Sequence, residues 1–373
     1  MTALTRFTAG FTEEPGYLDY ASVGPVSAAV AAEMLGQAEV LGRARFGSLD
    51  HLRDQDMLTR EAVARTISFR PDQIALQPNT TSGIMHAMFG LTGGVLLSAG
   101  DDPSLPFAAV RAAEALRVVS PTWLHMPGNR VTPGRIKDQL TPEISAVSVC
   151  LVDSRTGHRV DLEGIRQVIG ERMLFVDADQ GFGVVDAPYE LADVVASGGQ
   201  KWTRAGWGTG FLALSDRAAD RLVPVFSGYA GTDVDDPFDE VTSPSPGARA
   251  FRVADGDPFA EARFQTALEE LHPVGVAAIA GAVAENVTTL IDLADEFAIP
   301  VISPRDEHER AGIVVLEPPA EQLTLLQASL HNHGVSVTTR GGTIRLSVHA
   351  HLQVDTIDML RGAFTSYSTA ATY

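Results

Sequence analysis

Short apolar runs alternate with segments of helical pattern through the middle of this 373-residue chain, and that alternation constrains its fold more than any other feature. Residues 95–98, 147–152, 173–176, 194–196 and 210–214 read as strands, each a compact apolar run bounded by turn or acidic residues. Strands alternating with helices imply a largely parallel sheet covered on both faces, an α/β fold. Ligand-facing groups of such sheets collect at the carboxyl ends of the strands, where the sequence puts Asp153, Asp177 and Lys201.

Ser197-Gly198-Gly199-Gln200-Lys201-Trp202, followed by Gly206-Trp207-Gly208-Thr209-Gly210, sets a lysine in a glycine-rich turn ahead of a strand. A lysine crowded by backbone and an aromatic ring, and partly withdrawn from water, is expected to lose its proton readily and become a nucleophile. That is the chemistry a Schiff base with pyridoxal phosphate requires. Upstream, Phe175-Val176-Asp177-Ala178-Asp179-Gln180 reads as a buried strand ending in acids, and a carboxylate there can hold the proton on the pyridine nitrogen of such a cofactor. Alone, each residue has a plain reading as a solvated turn lysine or a strand-end acid; together and in this order they favour the chemical one.

Asn79-Thr80-Thr81-Ser82-Gly83 follows the apolar run Ile74-Ala75-Leu76 and precedes the helix-like residues 84–89. Free N–H groups at a helix start, with the hydroxyls of Thr80, Thr81 and Ser82, make an anion site suited to a phosphate; the plain alternative is a Ser/Thr N-cap. Near the C-terminus, Arg345 interrupts the alternating pattern of 341–349. Its planar fork suits a carboxylate, with a surface ion pair as the alternative.

These segments together resemble the class V aminotransferase group of fold-type I pyridoxal-phosphate enzymes, which also contains cysteine desulfurases, kynureninases and isopenicillin N epimerase-like proteins. The resemblance runs from Leu18-Asp19-Tyr20-Ala21-Ser22-Val23-Gly24-Pro25 through Gln77–Gly83, Asp177–Gln180 and Lys201 to Ile344-Arg345-Leu346-Ser347. It implies a large cofactor domain over 15–255, with a mostly parallel sheet between helices, and a smaller C-terminal α+β domain over 256–373 joined by 1–14. It also implies a homodimer acting on an amino acid. By the family pattern, Lys201 is the Schiff-base lysine, Asp177 the partner of the pyridine nitrogen, and Gln180 a contact of the phenolic oxygen. Ser197, one position before the family's usual hydroxyl, and Gln200 are candidate phosphate ligands, and Arg345, in an R-x-S context, stands where the substrate α-carboxylate is bound. The implied activity is transamination; C–S or C–C lyase and epimerase chemistry are alternatives, as is a non-catalytic binding or regulatory protein.

The chain departs from that pattern in places. Asp102 stands where a ring usually stacks on the cofactor, with Phe107 nearby as a substitute; Gly198 replaces a hydroxyl and Gln200 a histidine. Asp255-Gly256-Asp257-Pro258 replaces the segment that donates a threonine to the partner subunit's phosphate, a contact that Gly228-Tyr229 could instead supply. His349 and His351 are expected to pack rather than to catalyse, and no metal-ligand spacing is present.

A net charge of −19 argues against nucleic acid as a partner, and the acidic run 233–240 reads as a solvated loop. With a single cysteine there is no internal disulfide, and a reducing, cytoplasmic setting is expected. Cys150 falls in an apolar strand, where cysteine packs as a small hydrophobe, and segment 331–342 has no thiol for a persulfide mechanism. The N-terminal residues lack a signal-like pattern and no apolar run of about 18 residues stands out, so no membrane association is expected. A proline-rich connection at 243–247 leads to a long helix over 258–296 with a break near Pro273; strands at 312–316 and 343–348 and a helix over 323–331 follow, and the alanine-rich 27–32 reads as helix.

Overall fold

The structure is a computed structural model that describes residues 1–45, 47–126, 130–234 and 240–371; most of the acidic run at 233–240 lies outside them. Seven strands form the main sheet: β1 (Ile74–Leu76), β2 (Gly93–Leu97), β3 (Val119–Trp123), β4 (Ile144–Cys150), β5 (Met173–Asp177), β6 (Val194–Gly198) and β7 (Gly210–Leu214). Their order is β1-β7-β6-β5-β4-β2-β3. From β6 to β3 every pairing is parallel, as the alternation implied, and β7 alone runs against its neighbours. β5, β6 and β7 are buried along their whole length, as strands with helices on both faces must be. β3 went unread in the sequence because Pro121 interrupts it, which an edge strand tolerates.

The antiparallel β7 places the lysine turn. Gly198 at the end of β6 pairs with Gly210 at the start of β7, so the connection between them stays at the end of the sheet where β4, β5 and β6 finish. A parallel β7 would have sent it across a face to the other end.

A second sheet, β8 (Ile313–Leu316), β10 (Thr343–Ser347) and β9 (Thr338–Arg340), is antiparallel in the order β8-β10-β9. The Leu18 N–H donates to the Ser336 carbonyl (3.0 Å) and the Ser347 N–H to the Leu18 carbonyl (2.8 Å), which docks the N-terminal segment on this sheet. The long helical stretch divides into Pro258–Leu271 and Val276–Glu296, and Gly275 takes φ 80° at the break after Pro273. Contrary to the sequence reading, Val276–Glu296 is long and apolar enough to cross a membrane by length and composition, at mean hydropathy 1.4. Its Ile279, Val283, Val287 and Leu290 pack into the core.

Asp193, 4% exposed, ties the amino end of the sheet together. Its carboxylate accepts from the Leu174 N–H (2.8 Å), Arg166 Nη1 (3.2 Å), Arg217 Nε (2.8 Å) and Ser215 Oγ (3.2 Å). Removing the acid would strand two partly buried guanidinium groups. Asp193→Ala is therefore expected to lower the unfolding free energy by about 3 kcal/mol, measured by urea denaturation.

Candidate active site

Lys201 and Lys137 are the only lysines of the chain; Lys137 is exposed on the helix Pro133–Gln139, whereas the Lys201 side chain is 14% exposed. The turn that carries Lys201 is held from both sides. The Gly24 N–H donates to the Gln200 carbonyl (2.8 Å), and a Cβ at Gly24 would collide with the Lys201 carbonyl, so the approach requires glycine. Arg204 adopts φ 62°, a conformation that costs a non-glycine residue about 1 kcal/mol or more. Bonds from its guanidinium to the carbonyls of Pro25 (3.1 Å) and Gly10 (2.8 Å) hold it there.

Trp202 is buried beneath the turn, its Nε1 donating to Gln180 Oε1 (3.0 Å). Its carbonyl lies 2.8 Å from His349 Nε2, and His349 Nδ1 accepts from the Ala350 N–H (2.7 Å). That network assigns the proton to Nε2. Burial lowers the imidazole pKa to about 3, so His349 is a neutral packing group, as expected.

At the end of β5, Asp177 is 2% exposed. Oδ1 accepts from the Asp179 N–H (2.9 Å), while Oδ2 has no hydrogen-bond partner among the described residues. Burial, reinforced by the neighbouring Asp179 and Asp102, pushes its carboxyl well above the usual range. A buried carboxyl oxygen without a partner calls for an explanation, and a ring nitrogen able to share a proton with it would provide one.

Asp179, two residues on, holds Lys201: Oδ2 is ion-paired with Nζ. Oδ1 accepts from Thr80 Oγ1 (2.5 Å) and the Gly198 N–H (3.1 Å). This corrects the expectation that crowding frees the lysine. Burial does act to lower the Lys201 pKa, but Asp179, with Asp102 and Asp177 adding, raises it above the ordinary value.

The three hydroxyl residues expected to form one anion site divide. The helix Thr80–Gly90 is capped by Asn79, whose side chain accepts from the Ser82 N–H (2.8 Å). Thr80 turns inward to Asp179; Thr81 Oγ1 lies 2.9 Å from Ser104 Oγ, which donates to Asp102 Oδ1 (2.9 Å). Ser82 lines a cavity of about 500 Å³ together with Gln77, Gly208, Thr209 and Arg252. The Thr80 and Thr81 N–H groups have no acceptor among the described residues and remain open to an anion.

Gln180 donates from Nε2 to the Ala21 carbonyl (2.9 Å), leaving one amide hydrogen uncommitted. Gln200 is half-buried and leans over Gly198, on the same side as Asp179. Ser197 is spent inside the sheet, fully buried with its hydroxyl donating to the Gly198 carbonyl (3.1 Å), so it does not offer itself as a phosphate ligand. Phe107 is 62% exposed and Asp102 turns its carboxylate to Ser104, so neither covers the site as a buried ring would. Asp257 caps the helix Pro258–Leu271 through the Phe259 N–H (2.9 Å).

Arg345 reaches the same end of the sheet from β10. Its Nη2 donates to Ser22 Oγ (2.8 Å) and Thr338 Oγ1 (3.2 Å), and Asp19 lies 3.5 Å away. Its buried Nε–H has no hydrogen-bond partner among the described residues. Beside it opens a cavity of about 270 Å³ lined by Ser154, Arg155, Arg340 and Glu317.

Sequence reasoning passed over Asp179 as a participant and took Trp202 only as a crowding ring, although the alternation of acids at 177 and 179 on a buried strand end was a usable signal. The assembled set comprises a lysine, an acid with an unpartnered oxygen, a helix start with open N–H groups and an arginine. It fits a cofactor with an aldehyde, a ring nitrogen and a phosphate.

The sequence pattern described as "Aminotransferase class-V" matches residues 25–372. A kynureninase from Deinococcus radiodurans is 28% identical over 214 residues, and the match spans about half of each protein, 53% of this chain and 51% of the relative. Among solved structures, a cysteine desulfurase from Thermococcus onnurineus NA1 is similar over 93% of each chain at 17% identity, with TM-score 0.82. The cystine C-S lyase C-DES, bound to cysteine persulfide, is similar over 94% of this chain and 97% of its own at 18% identity, with TM-score 0.84. A lysine-to-alanine mutant of C-DES with glycine covalently linked to its pyridoxal-phosphate cofactor is similar at TM-score 0.86 and 17% identity, covering 95% of this chain and 98% of its own. At these identities the structural likeness speaks for the fold. The chain belongs to the class-V aminotransferase family and has the fold-type I architecture of its pyridoxal-phosphate enzymes.

Proposed function

We propose that this chain binds pyridoxal phosphate at Lys201 and acts on an α-amino acid, with transamination as its reaction. The observation that carries the reading is the enclosed Oδ2 of Asp177, without a hydrogen-bond partner among the described residues and at the same sheet end as Lys201. A group with a basic ring nitrogen completes it.

When bound, pyridoxal phosphate supplies an electron sink for the charge left at the substrate Cα. Asp177 would hold the ring nitrogen through its Oδ2, and its raised proton affinity suits an acid that shares a proton with a base. The open N–H groups of Thr80 and Thr81 and the hydroxyl of Ser82 would hold the phosphate, and the free amide hydrogen of Gln180 would donate to a phenolic oxygen. Arg345 offers its unpartnered Nε–H to the substrate carboxylate and orients the amino acid. Lys201 would be the base that takes the substrate Cα proton and the acid that returns it.

A second reading, elimination or hydrolytic cleavage at the substrate Cβ, is favoured by the kynureninase match and the C-S lyase fold neighbour. It would proceed without a persulfide cysteine, because Cys150 is buried and burial raises its thiol pKa well above the usual value. We also propose a homodimer, in which the exposed Trp207, Tyr229 and Val253 are covered, Val253 being part of the lining of the cavity of about 500 Å³.

Purified protein mixed with pyridoxal phosphate is expected to give a visible Schiff-base band that Lys201→Ala abolishes. With amino acids added, bleaching with accumulation of 2-oxo acids supports transamination; a persisting band with release of ammonia or a β-fragment assigns the second reading. Arg345→Ala is expected to raise KM about 10- to 100-fold, the range for losing a charged hydrogen bond; an unchanged KM in steady-state kinetics would place the carboxylate elsewhere. Sedimentation should report a dimer.

A further inference from the structure

Asp179 is enclosed, 7% exposed, and three different elements donate to its carboxylate. Thr80 Oγ1 comes from the helix start (2.5 Å), the Gly198 N–H from the end of β6 (3.1 Å), and Lys201 Nζ from the turn. A hydroxyl, a strand-end N–H and an ammonium converging on one point are the donor set of a bound anion. Here the chain supplies that anion itself. The groups that act on Lys201 electrostatically are all acids: Asp179, then Asp102 from the segment before the helix Ser104–Leu116, then Asp177. Asp179 is the one in contact.

We propose that Asp179 is a positioning residue for Lys201, a built-in counter-ion that holds the lysine as an ammonium and so sets the pH above which it can form its Schiff base. The inference rests on the reading of Lys201 as the cofactor-binding lysine. To form the bond, the ammonium must first give up one proton. Its nitrogen then adds to the cofactor's carbonyl carbon, and the carbonyl oxygen leaves as water when C=N closes. As long as the ion pair stands, that first proton stays on. Without Asp179, burial opposed only by the more remote Asp102 and Asp177 would favour the neutral amine, and the lysine would react at lower pH.

The test uses the cofactor-free protein, its Asp179→Asn variant and pyridoxal phosphate, following growth of the Schiff-base band from pH 6 to 10. In the natural protein the rate should climb through the alkaline range. In the variant the midpoint should fall by about one pH unit or more, which is about tenfold in neutral amine. Acetylation read by mass spectrometry is an independent readout that needs no cofactor: Lys201 should be modified at lower pH in the variant, while exposed Lys137 serves as the internal reference. Equal midpoints and equal labelling in a variant with an unchanged thermal melt would overturn the role of Asp179. No band in the natural protein at any pH would instead sink the cofactor reading of Lys201, and the labelling comparison would still decide on Asp179. If Asp179→Asn melts early, Asp179→Glu, which keeps the charge, should retain the natural midpoint.

Discussion

The pairing of β6 with an antiparallel β7 is the constraint on which the rest of this structure depends. In an otherwise parallel sheet it keeps the Gly198–Gly210 connection at the carboxyl edge, and so brings Lys201 to the end of β5 where Asp177 lies. The neighbouring elements serve that placement. Gly24 lets the N-terminal segment pass close over the turn, Arg204 accepts an unfavourable conformation to anchor it, and Trp202 fills the space beneath, its indole N–H bonded to Gln180. The same N-terminal segment adds Leu18 to the small sheet and Ser22 to Arg345. One short stretch thus ties the lysine turn and the arginine strand into a single frame.

Electrostatics then decide what the frame can do. Asp177 and Asp179 are both buried within two residues of each other, and two carboxylates so placed cannot both remain charged without a cation. Lys201 settles the matter for Asp179, which leaves Asp177 to carry a proton or find another partner. The two acids therefore differ by their surroundings: one pairs with the lysine, and the other keeps an oxygen with no hydrogen-bond partner among the described residues.

Much of this was legible in the sequence. The alternation of strand and helix, the Asp177 and Lys201 segments and the placing of Arg345 on a strand all follow from local pattern, because burial on two faces and glycine in tight turns leave strong marks. What was not legible depends on partners far apart in the chain. Nothing local to Lys201 says that an acid at 179 will meet it, and so the lysine was expected to be readily deprotonated when it is held as an ammonium. Thr80, Thr81 and Ser82 were read as one site because they are consecutive. On a helix, consecutive side chains point about 100° apart, which sends Thr80 to Asp179 and Thr81 to Ser104. The direction of β7 was hidden too, since a strand's own residues do not declare which way its neighbour runs.

Fold and reaction separate at Cys150. This chain overlays a cysteine desulfurase and a C-S lyase along most of its length, yet its one thiol sits inside β4 with its Sγ accepting the Asp102 N–H (3.4 Å). A thiol there is shielded from solvent, and burial and the nearby acids keep it neutral, which removes the nucleophile that sulfur transfer through a persulfide needs. Function has to be argued from the site and not from the scaffold. In this site the one enclosed lysine is ion-paired with Asp179, and on the proposed reading that acid governs when Lys201 is free to act.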